Sequence, residues 1–146
     1  MRKKIILILL VAASNILAGD YSTTMSPIMS KGEDLVRYIE DELKMEIVRM
    51  EYDILRNTKT TTRVLSQGWT YTIVAFGDFR FKDIDVKVYR NYQGSWELVG
   101  KDNDASEIAV VNITPSYNEE YLIEISAYSF KPGYEVGHYG LIIAHE

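Results

Sequence analysis

The sequence predicts a mainly β protein, an antiparallel sandwich of about seven strands preceded by one amphipathic helix. Three observations predict it. From Thr60 onward, apolar and polar residues alternate with a period of two. Turn-forming clusters divide that alternation at short intervals. Ahead of it, over residues 30–57, apolar residues recur every three or four positions.

The alternating runs are explicit. Trp69, Tyr71, Ile73 and Ala75 interleave with Thr70, Thr72, Val74 and Phe76. Ile84, Val86 and Val88 interleave with Asp83, Asp85, Lys87 and Tyr89. Ile108 and Val110, then Tyr121, Ile123, Ile125 and Ala127, then Tyr139, Leu141 and Ile143 continue the pattern, and Thr61–Ser66 and Trp96–Gly100 are short enough to complete it. Between them stand Gln67-Gly68, Gly77-Asp78, Gln93-Gly94-Ser95, Asp102-Asn103-Asp104, Thr114-Pro115-Ser116 and Lys131-Pro132-Gly133. Such residues favour turns through positive φ, a fixed φ, or side-chain bonds to their own backbone. Residues 58–146 are therefore assigned to the sandwich, with each sheet hiding one face.

The helix is assigned to residues 30–57. Ser30 and Glu33 have the spacing of a capping box. Val36, Ile39, Leu43, Ile47, Met50 and Ile54 then form one stripe at helical period. Glu33 with Arg37, and Glu40 with Lys44, stand in the favourable i,i+4 order. The stripe is expected to pack on the sandwich; its alternative use is to join two copies into a homo-oligomer or dock a partner.

Residues 1–18 read as a signal peptide. Arg2, Lys3 and Lys4 precede an apolar run from Ile5 to Ala13, and small residues follow to Gly19. The run is shorter than the roughly 20 residues that span a bilayer. A secreted or periplasmic product with no membrane span after cleavage is expected, with residues 19–29 as a flexible mature N-terminus.

The 146-residue chain carries a formal charge of −5, and losing Arg2, Lys3 and Lys4 would take it to −8. That balance disfavours nucleic acid, whose phosphates need clustered Lys and Arg, and anionic lipid surfaces. There is no cysteine, so disulfides, thiol nucleophiles and thiolate metal sites are excluded.

Four segments carry a family resemblance. Gly68-Trp69-Thr70-Tyr71-Thr72-Ile73 is similar to the opening strand of the bacterial pre-peptidase C-terminal domain family. Asp83-Ile84-Asp85-Val86-Lys87-Val88-Tyr89 resembles its Asp-x-Asp-Leu strand, with Gly94 at the following glycine turn. Asn118–Ile125 resembles its Gly-x-Tyr strand, although the glycine is missing here, and Gly137–Ile143 resembles its closing Gly-x-Tyr-x-Leu strand. The resemblance spans residues 67–143. It implies a jelly-roll-like sandwich of the kind attached to secreted proteases, with relatives that bind collagen, polysaccharide or calcium. The N-terminal helix is not part of that pattern.

Two groups of residues could carry chemistry. Asp83 and Asp85 lie two apart on one strand, and Asp102 and Asp104 flank an acidic turn. If they converge, their hard oxygens would suit calcium, the one cofactor expected here. Lys87, and the ordinary turn role of Asp-Asn-Asp, weigh against it. Tyr89, Tyr92, Trp96, Tyr128 and Tyr134 fall near strand ends or loops and form the candidate ligand-binding set, since amphipathic rings grip extended partners. No catalytic residue is assigned. His138 is the histidine that a Ser-His-Asp site would have to use, but no nucleophile motif accompanies it. The expected function is an exported, non-enzymatic binding module for a protein or polysaccharide surface. An envelope structural or assembly subunit acting through its helix, and a small hydrolase, are the alternatives.

Overall fold

Every alternating run becomes a strand. The computed structural model describes residues 24–146. It contains β1 (Glu46–Leu55), β2 (Thr58–Leu65), β3 (Tyr71–Gly77), β4 (Phe81–Tyr92), β5 (Ser95–Asp102), β6 (Ile108–Ile113), β7 (Glu119–Phe130) and β8 (Gly137–His145). They form two four-stranded sheets, ordered β1-β8-β3-β6 and β2-β7-β4-β5. All pairings are antiparallel. Successive strands mostly change sheets, and the first and last strands lie side by side. That is the eight-stranded jelly roll, two Greek keys wound into one sandwich.

The inner faces supply the core. Ile73, Ala75, Leu141 and Ile143 of the first sheet meet Ile84, Val86, Ile123 and Ile125 of the second, all fully buried. The inward positions are those that period two selects. Gln93 and Gly94, with φ of 52° and 83°, make the two-residue turn joining β4 to β5. Positive φ at both centres gives a hairpin the twist its strands need.

The predicted helix over 30–57 is corrected. Helix α1 spans Ser26–Arg37 and runs into a π-helical turn over Tyr38–Glu42. Lys44 then adopts a left-handed φ of 57°, and the chain leaves as β1, so the sandwich begins at Glu46 instead of residue 58. Met50 and Ile54 satisfy both periods. They belong to the helical stripe, and with Tyr52 they also occupy alternate positions facing α1's side of β1. The register shift between Ile47 and Arg49 hid the strand further: Val48 packs into the inter-sheet core, while Ile47 packs beneath the helix. The capping box is also absent. Ser30 lies inside α1, whose N-cap is Met25 followed by Pro27 in the first turn. Met29 and its three predecessors are helical, so the flexible segment 19–29 is corrected from Ser26 onward. The signal peptide over 1–18, and residues 19–23, lie outside the described residues.

Helix α1 lies on the outer face of the first sheet. Ile28 and Ile39 join Val74, Phe76, Ile142 and Ala144 in a second core. Gly32 permits the close approach, since a Cβ there would lie 2.0 Å from the Tyr52 hydroxyl oxygen. Lys31 fastens the helix by donating to the Gly77 carbonyl at 2.9 Å and pairing with Glu107 at 2.9 Å. One sheet is therefore covered on both faces. No helix among the described residues is long and apolar enough to cross a membrane.

Candidate functional site

The second sheet keeps its outer face open, and the register shows what that face presents. Thr60, Glu124, Lys87 and Lys101 lie in one row across β2, β7, β4 and β5. The next row holds Thr62, Leu122, Tyr89 and Leu98. Beyond it, Val64 pairs with Glu120 on one side, and Asn91 with Trp96 on the other. The first row is polar, and Lys87 bonds Glu124 at 3.2 Å. The second is largely apolar and the third is mixed: Val64 is 63% exposed, Leu98 47% and Trp96 43%. Between β4 and β5 the ladder skips Val99, and this bulge is what brings Leu98 opposite Tyr89.

The five candidate binding residues separate into three places. Tyr89 and Trp96 share the open face as diagonal neighbours. Tyr92 caps the β4–β5 hairpin, where the Arg90 guanidinium stands 5.1 Å from its ring centre and bonds Glu97. Tyr128 and Tyr134 lie toward the other end of the sandwich, beside the β7–β8 loop. Leu98 and Leu122, which complete the face, were missed because their pairing with Tyr89 depends on a register and a bulge without a sequence signal.

Asp83, Asp85 and Asp102 lie near one another, and backbone amides engage the first and the last. Asp83 is buried and accepts the Ser106 N–H at 3.2 Å. Asp102 is occupied by its own turn, accepting from the amides of Asp104 at 3.0 Å and Val110 at 2.8 Å. Among the described residues, no group of three His, Cys, Asp or Glu side chains could hold a metal ion. The β4–β7 ladder is irregular on both sides of Asp83. Asp83 is enclosed, whereas Asp85 lies half-buried on the strand with one oxygen, Oδ1, lacking any partner.

Asp85 is poorly compensated. Burial raises its pKa, and the negative charges of Asp83 and Asp102 raise it further against the opposing pull of Lys87. A carboxyl with a raised folded pKa weakens the fold once it ionises, and its protonation at lower pH removes the penalty. Asp85→Asn is therefore expected to stabilise the protein by up to about 1 kcal/mol at neutral pH. Melting curves recorded against pH should converge with wild type as acidity protonates Asp85; an equal gap at all pH values would contradict this account.

His138 is built into a buried network. Asp78, Arg80 and His138 are 2%, 4% and 5% exposed. The Asp78 carboxylate accepts from the Arg80 guanidinium and from the backbone amides of Arg80 and His138, each at 3.0 Å. The Arg80 Nη2 lies 2.8 Å from His138 Nδ1. A guanidinium can only donate, so Nδ1 accepts and the ring proton sits on Nε2. Burial pushes Asp78 toward its neutral form, but the bonds from Arg80 and from the His138 amide outweigh it and hold the carboxyl below its ordinary range. The cluster ties the β3–β4 turn to the start of β8.

The geometry defines a class of protein: a jelly-roll β-sandwich with one helix-covered sheet and one open sheet bearing an aromatic and aliphatic face. No protein-family model and no curated protein sequence matches the chain. Among solved structures it is similar to the Yersinia pseudotuberculosis-derived mitogen, at 12% identity over 68% of this chain and 85% of that one, TM-score 0.49. It is also similar to the pre-peptidase C-terminal domain of a Bacillus anthracis collagenase, at 12% identity over 65% and 87%, TM-score 0.48. A third is Aeromonas hydrophila PliG, a periplasmic inhibitor of g-type lysozyme, at 16% identity over 67% and 83%, TM-score 0.44. Likeness at this level assigns neither a family nor an activity.

Proposed function

We propose that the chain is an exported, non-enzymatic module that binds a protein through the open face of its second sheet. The observation that carries this reading is the contrast between the two sheets. The first buries Val74, Phe76, Ile142 and Ala144 of its outer face beneath α1 and exposes apolar side chains only at its margins, at Met50, Ile54 and Val110, whereas the second, uncovered among the described residues, exposes Val64, Trp96 and Leu98 around half-buried Tyr89 and Leu122. A contiguous patch of this kind on a soluble domain marks an interaction surface. The aliphatic members favour a protein over a polysaccharide, because a sugar needs hydrogen bonds that Leu and Val do not offer. Glu120 stands beside Val64 on this face, on a chain of formal charge −5, so the partner should offer an apolar centre with a basic group at its rim.

The test is photocrosslinking in the producing cell. A photoreactive residue at Leu98 is expected to trap one discrete partner, while the same residue at Thr60 on the polar row traps little. Equal labelling from both positions, or none from Leu98, would overturn the reading, and a glycan adduct would reassign the face to polysaccharide.

A further inference from the structure

We propose that the basin between the β1–β2 turn and the β7–β8 loop is a second binding site, one that takes a neutral, polyhydroxylated ligand, namely one or a few rings of a saccharide. It does not rest on the protein-binding face, from which it lies roughly 20 Å away along β7. Its cavity of about 480 Å³ is lined by residues that include Arg56, Asn57, Tyr128, Phe130, Tyr134 and Glu135. That volume is within the usual range for small-ligand sites.

The backbone irregularities here present the rings. The β4–β7 ladder pairs Ile84 with Ala127 and Asp83 with Ser129, skipping Tyr128. Bulges of this kind re-aim a side chain, and Tyr128 is left 74% exposed at the cavity wall. Tyr134 follows the Pro132-Gly133 turn, where Gly133 has a φ of 90° and the Tyr134 N–H donates to the Lys131 carbonyl at 3.2 Å. Phe79 meets the Tyr134 ring edge-on at 5.8 Å, which fixes its position. Phe130, packed on buried Phe81 at 4.7 Å, adds an apolar wall.

The polar groups then select the ligand. Arg56 and Glu135, both largely exposed, pair at 3.2 Å and leave the rim with no net charge to favour an anion or a cation. The Asn57 amide and Ser129 hydroxyl can each donate and accept. A wholly apolar ligand would strip these groups of water and return no hydrogen bonds. A sugar offers both what the rings need, a flat C–H face, and what the polar groups need, hydroxyls that donate and accept.

Amide chemical-shift titration with maltohexaose, cellohexaose and chitohexaose at millimolar concentration tests this. At least one should perturb a cluster around Asn57, Tyr128, Ser129 and Glu135. Tyr128→Ala should weaken that binding about tenfold, while Tyr128→Phe keeps most of it. Because Tyr128 is so exposed, its loss leaves the fold intact, which an unchanged melting curve confirms. Silence with all three sugars, shifts confined to other surfaces, or wild-type affinity in Tyr128→Ala would each overturn the proposal. Loss of the Leu98 crosslink would leave it standing.

Discussion

Asp78→Ala should destabilise the fold by about 3–5 kcal/mol, the usual cost of removing one partner from a buried ion pair. The substitution strands the Arg80 guanidinium, which has 5% side-chain exposure in the ion pair. It also orphans the backbone amides of Arg80 and His138. Arg80→Met should cost less, because Asp78 keeps both amide donors and can take up a proton. The pH dependence follows from the depressed folded pKa of Asp78, which burial opposes and the surrounding donors more than restore. Its stabilisation is complete above the ordinary carboxylate range and is lost as the pH falls through and below that range. Denaturant melts of both variants at neutral and acid pH check the order. Equal losses, or a gap between wild type and Asp78→Ala that persists undiminished in acid, would contradict this assignment.

Phe76→Ala is expected to cost about 3–5 kcal/mol as well, with a distinct signature. The Phe76 ring is fully buried between β3 and α1, edge-on to Tyr52 at 6.2 Å. Gly140 on the neighbouring strand makes room for it, since a Cβ there would come within 2.2 Å of the ring. Removing the ring hollows out the smaller core, not the space between the sheets. A helix of 12 residues is marginal on its own, so α1 should lose amide-exchange protection well before the central strands. Uniform loss of protection across helix and strands would show instead that the two cores are one cooperative unit.

The sandwich was legible because Ile73, Ile84, Val86, Ile123, Leu141 and Ile143 obey the simplest rule a sheet imposes, alternation of faces. The failure at β1 has an equally physical origin. A covered sheet needs apolar residues on both faces, and a bulge spaced Ile47, Met50 and Ile54 as a helix would. The helix stop was silent because Lys44, not glycine, takes the left-handed position. At the candidate site, Tyr89 and Trp96 could be named from composition, but their union with Leu98 and Leu122 is a matter of strand register. Tyr128 and Tyr134 came together through a skipped residue in a ladder and a turn. For the acidic residues, the sequence could not show that Asp102 spends its oxygens on backbone amides.

The proposed function requires the open face to be a surface that a partner covers. The direct measurement is the affinity of the partner trapped from Leu98 for wild type and for Trp96→Ala, with the melting temperature as a control. An aromatic anchor that a partner covers typically contributes 2 kcal/mol or more, so the dissociation constant should rise about 30-fold with the fold unchanged. An unaltered constant would mean that the partner sits elsewhere and that the exposed stripe does not bind it.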